Sequence, residues 1–370
     1  MKIAIITQSY YPVKGGVAEH VHALSGELEK RGHEVVIITG NFTGFDDNFG
    51  RNVIRIGRDL TILANGAFCN VTISLQFKKL LEKIEKKEKF DVVHIHQPID
   101  PVLPLLATKY LKAPKVGTFH TYQKKNFWLE MLKEPAEPYF KRLKALIAVS
   151  SSARQFISQY YKADYHIIPN GIDTKRFSPE VKPMEQYKND KDFKILFLGR
   201  MDPRKGFKYL LRAFPLIYQK ITNVKIIVVG GGIMKHWYKM ALPSELSPRV
   251  DYHGFVPNDQ VPRFYAACDL YCSPATRGES FGIVLLEAMA SGKPVVASNI
   301  HGYNSIVKDG QTGFLVEKKN PLALAESIIK LAKNKEMRNN MEKFAREEAL
   351  KYDWKKVTDR IERVYKEVLS

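Results

Sequence analysis

The chain has 370 residues, 45% hydrophobic and 11% aromatic, with 58 Lys and Arg against 39 Asp and Glu, a formal net charge of +19. This composition excludes a disordered chain, and the length is too great for one comfortable core, so two domains are expected. The charge admits nucleic acid, anionic lipid and phosphorylated small molecules as partners; no zinc-finger spacing, basic zipper or aromatic RNA-binding strand is present, so nucleic acid is not expected among them.

Lys2–Gln8 is a strand-length apolar run, too short for a signal peptide, that ends at Thr7-Gln8 and is followed by a Gly15-Gly16 turn. Val17, Val21, Leu24 and Leu28 then recur at helical spacing. Glu34–Thr39, Asp91–His96, Lys115–His120 and Ala145–Ser150 continue as buried strands. Between them, Leu75–Lys89 carries an apolar stripe of Phe77, Leu80, Leu81 and Ile84 among six lysines and the glutamates Glu82, Glu85 and Glu88. This is a surface helix packed on its domain, or a docking face for an anionic membrane through Lys78, Lys79, Lys83 and Lys86. The βα alternation implies a parallel sheet with helices on both faces.

Turn-forming residues at Pro169-Asn170-Gly171-Ile172-Asp173 break the rhythm. A second βα series follows: Lys194–Gly199, Lys225–Gly230, Val250–Phe255, Leu270–Pro274, Pro294–Ser298 and Gly313–Val316. The domain boundary is expected near Gly171. No stretch approaches the ~20 apolar residues of a membrane span. Cys69, Cys268 and Cys272 make no disulfide framework and suit a reducing compartment; a cytoplasmic location is expected. Cys268 and Cys272 could share a helix face, but no further ligands complete a zinc site.

The chemistry-bearing residues fall at strand ends. Glycines 15 and 16 let backbone N–H groups approach a phosphate, although the third glycine of the dinucleotide fingerprint is missing. His120 closes a parallel strand and would face a ligand crevice. His94 and His96 alternate on another strand end; no third ligand at metal spacing accompanies them, so they are expected as lining or core, and no metal site is expected. Arg200 and Lys205 lie between a strand end and a helix start, where cations stabilise a departing diphosphate. Glu279 and Ser280 occupy the expected N-cap of an apolar helix, and Glu287 lies roughly two turns in, near the same face. Either glutamate alone is ordinary helix content. Together they flank an anion-binding helix mouth, suited to a phosphorylated ligand rich in hydroxyls.

These motifs, with Asp91-Val92-Val93-His94-Ile95-His96, Thr118-Phe119-His120-Thr121, Phe197-Leu198-Gly199-Arg200, the run Gly278 through Ala290 and Tyr352-Asp353-Trp354, resemble the retaining GT-B glycosyltransferases (glycosyl transferases group 1), and within them the phosphatidylinositol mannosyltransferases. The resemblance covers nearly all of the chain. It implies an α/β fold of two Rossmann-like, doubly wound parallel-sheet domains facing a central cleft: residues 1–171 with 353–370 on the acceptor side, and 172–352 as the donor domain. It implies that Arg200 and Lys205 bind the donor diphosphate, that Glu279 with the backbone of Ser280, Phe281, Gly282 and Ile283 holds the sugar, and that Glu287 binds the ribose. Gly16 would approach the phosphate, and His120 would sit by the reacting sugar. The donor substrate is a nucleotide-diphosphate sugar, GDP-mannose by resemblance; no cofactor is permanently bound and no divalent cation is required.

The departures lie on the acceptor side. Ala18 stands where the phosphatidylinositol enzymes carry glutamine; Asn70 or Asn65 stands where they carry a phosphate-gripping arginine; and Ser9 replaces a tyrosine, displaced to Tyr10 or Tyr11. Tyr10, Asn65 and Thr121 remain the acceptor-binding candidates. The expected activity is hexosyl transfer to an alcohol, on an inositol-type lipid at the inner face of the cell membrane, with transfer from a UDP- or GDP-sugar to a soluble polyol, sugar or hydroxy acid as the alternative. A nucleotide-sugar epimerase and a non-catalytic basic lipid- or nucleic-acid-binding protein are the more distant readings.

Overall fold

The fully apolar run Ile3-Ala4-Ile5-Ile6 forms the middle of a parallel sheet, where both faces of a strand are covered. The structure, a computed structural model, describes residues 1–13, 15–42, 48–64, 67–123, 126–232 and 234–370, with 61–64, 67–70 and 128 described by backbone alone. The chain divides into two compact units, 1–171 with 354–370, and 172–353.

The first unit has strands β1 (Lys2–Ile6), β2 (Glu34–Gly40), β3 (Val53–Ile56), β4 (Arg58–Ala64), β5 (Ala67–Ile73), β6 (Val92–His96), β7 (Lys115–Phe119), β8 (Leu143–Ala148) and β9 (His166–Ile167). Its main sheet runs β3-β2-β1-β6-β7-β8-β9 with parallel pairings throughout. Strands β4 and β5 form a separate antiparallel pair. Side chains alternate across the sheet: Ile3 and Ile5 enter one core layer, Ala4 and Ile6 the other. The helix Trp354–Leu369 closes the first layer with Trp354, Val357, Ile361, Val364 and Tyr365. The helix Phe77–Glu88 closes the second with Phe77 and Leu81, while Leu80 and Ile84 pack against it.

The second unit has β10 (Phe193–Leu198), β11 (Val224–Val229), β12 (Val250–Gly254), β13 (Leu270–Ser273), β14 (Val295–Ser298) and β15 (Gly313–Val316), in the parallel order β12-β11-β10-β13-β14-β15. In each unit the chain winds outward from a first strand and then returns to that strand's other side, making switch points between β1 and β6 and between β10 and β13. The loops leaving the carboxyl ends of such strand pairs diverge, and ligands bind there.

Two sequence expectations change. Strands β3, β4, β5 and β9 were not anticipated. Cys268 follows a helix while Cys272 lies within β13, so they share no helix face; both are buried, and desolvation pushes the Cys268 thiol up to about 12. The apolar stripe of the lysine-rich helix is already used in its own core, as its reading as a packed surface helix expects, so a membrane could meet only its exposed lysines, Lys78, Lys79, Lys83 and Lys86 with Lys87 and Lys89. Among the described residues no helix is long and apolar enough to cross one.

Candidate functional site

In the second unit the site grows from the two loops at the switch point. After β10 the chain reaches Arg200, whose side chain is 60% exposed and whose Nε lies 3.7 Å from Asp202 Oδ2. Asp202 caps the short turn Pro203–Lys205 by accepting from the Lys205 N–H at 3.1 Å. Gly206 then takes φ +72° and packs so closely on the end of β13 that a Cβ there would lie 1.9 Å from the Pro274 carbonyl oxygen. That approach brings the 200–206 loop onto the loop after β13: Thr276 N–H donates to Arg204 O at 2.8 Å, and Arg204 Nη1 donates to Gly278 O at 2.8 Å.

The result is a small charged cluster. Glu279 Oε1 accepts from Lys205 Nζ at 2.8 Å and from Arg204 Nη1 at 2.9 Å, with Glu279 and Lys205 side chains only 11% and 16% exposed. Arg204 is a site residue that the sequence reading passed over; in Arg200-Met201-Asp202-Pro203-Arg204-Lys205 nothing local distinguishes one cation from another.

The helix after this loop begins later than its sequence suggests. It spans Ile283–Ala290, and its N-cap is Gly282 at φ +93°. Glu279 and Ser280 are therefore loop residues, not caps, because the left-handed Gly282 delays the first turn. Gly282 has no side chain to cap that turn, so its N–H groups face forward for an anion. Glu287 lies little more than one turn in, held by the hydroxyl of Tyr265, which donates at 2.9 Å. Phe281 is buried against Tyr352, so only its backbone is available to a ligand.

In the first unit Gly15 is extended and Gly16 opens the helix Gly16–Lys30. Neither glycine is required by its conformation. Among the described residues a Cβ at either would meet no heavy atom within 4 Å, which leaves space over that helix start. One turn in, His20 meets the ends of β6 and β7. His96 Nδ1 lies 2.8 Å from His120 Nε2, and the His20 ring makes edge contacts with both, its centroid 5.2 and 4.9 Å from theirs. His20 Nδ1 lies 2.9 Å from Asn170 Oδ1. His94 is satisfied at both nitrogens, by Tyr365 Oη and Thr118 Oγ1, each at 2.6 Å.

Desolvation holds these imidazoles neutral: it lowers His20 to about 4 and His94 to about 3 and, with the neighbouring rings, takes His96 and His120 well below the usual range. The expectation that His96 has no companion ligands is thus corrected. His20, His96 and His120 each offer a nitrogen, all within 4.8 Å of one another. They come from three elements far apart in sequence, which spacing could not reveal. Two nitrogens on one tetrahedral zinc stand about 3.3 Å apart, so the 2.8 Å contact between His96 and His120 fits a shared proton rather than an ion.

Gln97 also escaped the sequence reading. Its Oε1 accepts from the His120 N–H at 2.8 Å and its Nε2 donates to Thr121 Oγ1, fixing the loop that carries both. Thr121 is partly exposed beside it. Tyr10 is corrected as an acceptor residue: it is 0% exposed, its ring sits in the core and its hydroxyl bonds His22 Nδ1 at 2.8 Å. Asn65 lies outside the described residues.

The family profile described as glycosyl transferases group 1 matches residues 180–348, and that described as Glycosyltransferase Family 4 matches residues 14–176. The phosphatidyl-myo-inositol mannosyltransferase of Mycobacterium leprae is 32% identical over 371 residues, covering 100% of this chain and 98% of that protein. A glycosyltransferase from Rickettsia africae shares the fold with a TM-score of 0.81 at 23% identity, covering 100% of this chain and 98% of its own. Anabaena HepE, solved in complex with UDP, does so with a TM-score of 0.80 at 21% identity, covering 99% and 100%.

Proposed function

The chain belongs to the group 1 glycosyltransferases, and we propose on that premise that it moves a hexose, mannose from GDP-mannose, to an acceptor hydroxyl with retention of anomeric configuration. The observation that carries this reading is the Lys205–Glu279–Arg204 cluster at the β10/β13 switch point, beside the helix start at Gly282. An arriving diphosphate competes for Lys205 and Arg204 and recruits the exposed Arg200. Glu279, released from its cations, accepts from sugar hydroxyls, and Glu287 takes the ribose. As the bond from the anomeric carbon to the phosphate oxygen breaks, the cations stabilise the charge left on the diphosphate. The acceptor oxygen bonds to the same face of that carbon, and its proton passes to the departing phosphate oxygen. His120 serves the transferred sugar as a neutral imidazole.

The acceptor in this reading is an inositol-type lipid met at the inner face of the cell membrane, with Lys78, Lys79, Lys83 and Lys86 supplying peripheral attraction. The burial of Tyr10, together with Ala18 and the departures around it, favours a second reading, a soluble polyol, sugar or hydroxy acid.

Thermal-shift measurements against a panel of nucleotide sugars test the donor, since a ligand bound only to the native state raises Tm. GDP-mannose is expected to give the largest rise, and product NMR to show a retained anomeric centre. A panel in which no nucleotide sugar raises Tm would sink the proposal. Transfer to inositol phospholipid vesicles against soluble polyols separates the two acceptors.

A further inference from the structure

We infer that His96 is a positioning residue for His120: it donates its Nδ1–H to His120 Nε2 and so fixes His120 as the tautomer that carries its own proton on Nδ1. One proton lies between these nitrogens at 2.8 Å, and it can belong to either ring. If it belonged to His120, neutral His96 would carry its proton on Nε2. That atom is buried and has no hydrogen-bond partner among the described residues, and His96 is 1% exposed. The site would then hold a buried N–H with nothing to receive it, the rarest kind of orphan in folded proteins. With the proton on His96 Nδ1, its Nε2 is only a bare lone pair, a milder defect.

His20 follows the same rule. Its Nδ1 faces the Asn170 carbonyl oxygen, which can only accept, so its own orphaned Nε2 is also a lone pair. A doubly protonated ring is opposed by burial and by the adjacent imidazoles.

The chemical consequence is specific. His120 presents an N–H, a hydrogen-bond donor for a sugar oxygen, and its one lone pair is occupied by His96. It therefore orients the sugar and does not act as a general base. This consequence rests on the proposed role of His120 beside the sugar; the tautomer itself does not.

The test uses full-length protein labelled with 15N-histidine and long-range 1H–15N correlation, with the His120 signals assigned from His120→Asn. His120 Nδ1 is expected to show a protonated, pyrrole-type nitrogen and Nε2 a pyridine-type one. His96→Asn, whose amide nitrogen overlays Nδ1 and still donates, should keep that pattern and keep transfer within a few-fold. His96→Asp can only accept, so it should move the His120 proton to Nε2 and lower kcat on the order of 10²-fold with little change in donor KM. Where the Asp variant does not fold, His96→Leu should give a mixture of His120 tautomers. A parent protein with the His120 proton on Nε2 overturns the inference, since it means that the rings close until His20 Nε2 accepts from His96. So does a His96→Asn variant that loses the Nδ1–H form. The spectra need no nucleotide sugar, so failure of the donor assignment would leave this result standing, and the reverse also holds.

Discussion

Lys205 Nζ lies 2.8 Å from Oε1 of Glu279. The cation assigned to the diphosphate is thus paired in advance with the carboxylate assigned to the sugar, and the donor must exchange that pair for two contacts of its own. Glu279→Gln removes the competing charge. We expect the affinity for GDP to rise a few-fold while transfer falls by about 10²–10³. Lys205→Ala and Arg200→Ala should instead weaken GDP binding and lower turnover by a similar factor. Calorimetric titration with GDP beside initial rates checks both, and unchanged transfer in Glu279→Gln would remove that residue from the mechanism.

Two glycines make opposite predictions. At Gly16 a Cβ would touch none of the described residues, and alanine suits a helix better than glycine by roughly 0.5–1 kcal/mol, so Gly16→Ala should melt no lower than the parent. Its transfer rate should nonetheless fall at least ~10-fold, because a methyl group obstructs a phosphate approaching the helix start. At Gly206 the backbone is left-handed and a Cβ would lie 1.9 Å from Pro274 O, so Gly206→Ala should cost about 3 kcal/mol of stability. Parent-like transfer by Gly16→Ala is the outcome that contradicts a ligand there.

Acid should unfold the first unit early. His20 and His22 fall to about 4 and His94 to about 3, chiefly through desolvation, against an ordinary value of 6.5. Between those values the unfolded chain binds protons that the folded chain refuses. Stability is therefore full above pH 6.5 and is lost as pH falls toward 4. Asp100 acts in the opposite direction: desolvation raises it to about 7, so folded protein holds a proton that unfolded protein lacks from about pH 4 to 7. His96 and His120, held well below 6.5 by the same desolvation, act in the same direction as the other histidines. Near pH 5 five histidines against one aspartate leave about four protons, a slope of roughly 5 kcal/mol per pH unit. Thermal melts from pH 7.5 to 4.5 should show that slope, and a flat profile contradicts it.

The lysine-rich helix gives a surface test. Its apolar stripe is occupied, so any attraction to membranes is purely electrostatic. Two of its three glutamates are engaged, Glu85 with the N–H groups of Lys112 and Ala113 and Glu88 with Lys2. Co-sedimentation with anionic vesicles should occur at low salt and vanish toward 1 M, where the Debye length is ~3 Å. Changing Lys78, Lys79, Lys83 and Lys86 to Ser should abolish it without changing Tm. A parent protein that ignores anionic vesicles at low salt moves the soluble acceptor ahead.

The buried parallel strands were legible because runs such as Ile3–Ile6 and Ile226–Val229 are apolar on both faces. The pair β4–β5 was also within reach, since Asn65-Gly66 between two strand-length runs is a hairpin signal that went unused. Lys205 and Glu279 could be placed because each follows a strand of the same sheet. Their ion pair could not, since it depends on Gly206 packing against Pro274. The start of the helix at Ile283 was misplaced because Ser280 offers a good cap in sequence, whereas φ at Gly282 is set by the fold. His20 was invisible for a different reason: a histidine on an apolar helix face gives no sign of two others arriving from β6 and β7.

The helix Trp354–Leu369 belongs to the first unit, where the indole of Trp354 lies so close over Gly171 that a Cβ there would be 2.4 Å from it. On the ribosome, the domain made first is therefore the last to be finished. Its sheet emerges with the layer of Ile3, Ile5 and Ile37 lacking its final cover, and with His94 lacking Tyr365. At ~5–20 residues per second, roughly 10–40 s pass between synthesis of Gly171 and of Trp354. The second unit, tied at its ends by the Ile172 N–H donating to Tyr352 O at 2.8 Å, has all its residues before the first unit does. Nascent chains arrested before Trp354 should show a protease-resistant second unit and a cleavable first one, and a single premature stop near residue 353 should destroy the histidine cluster without altering any residue in it.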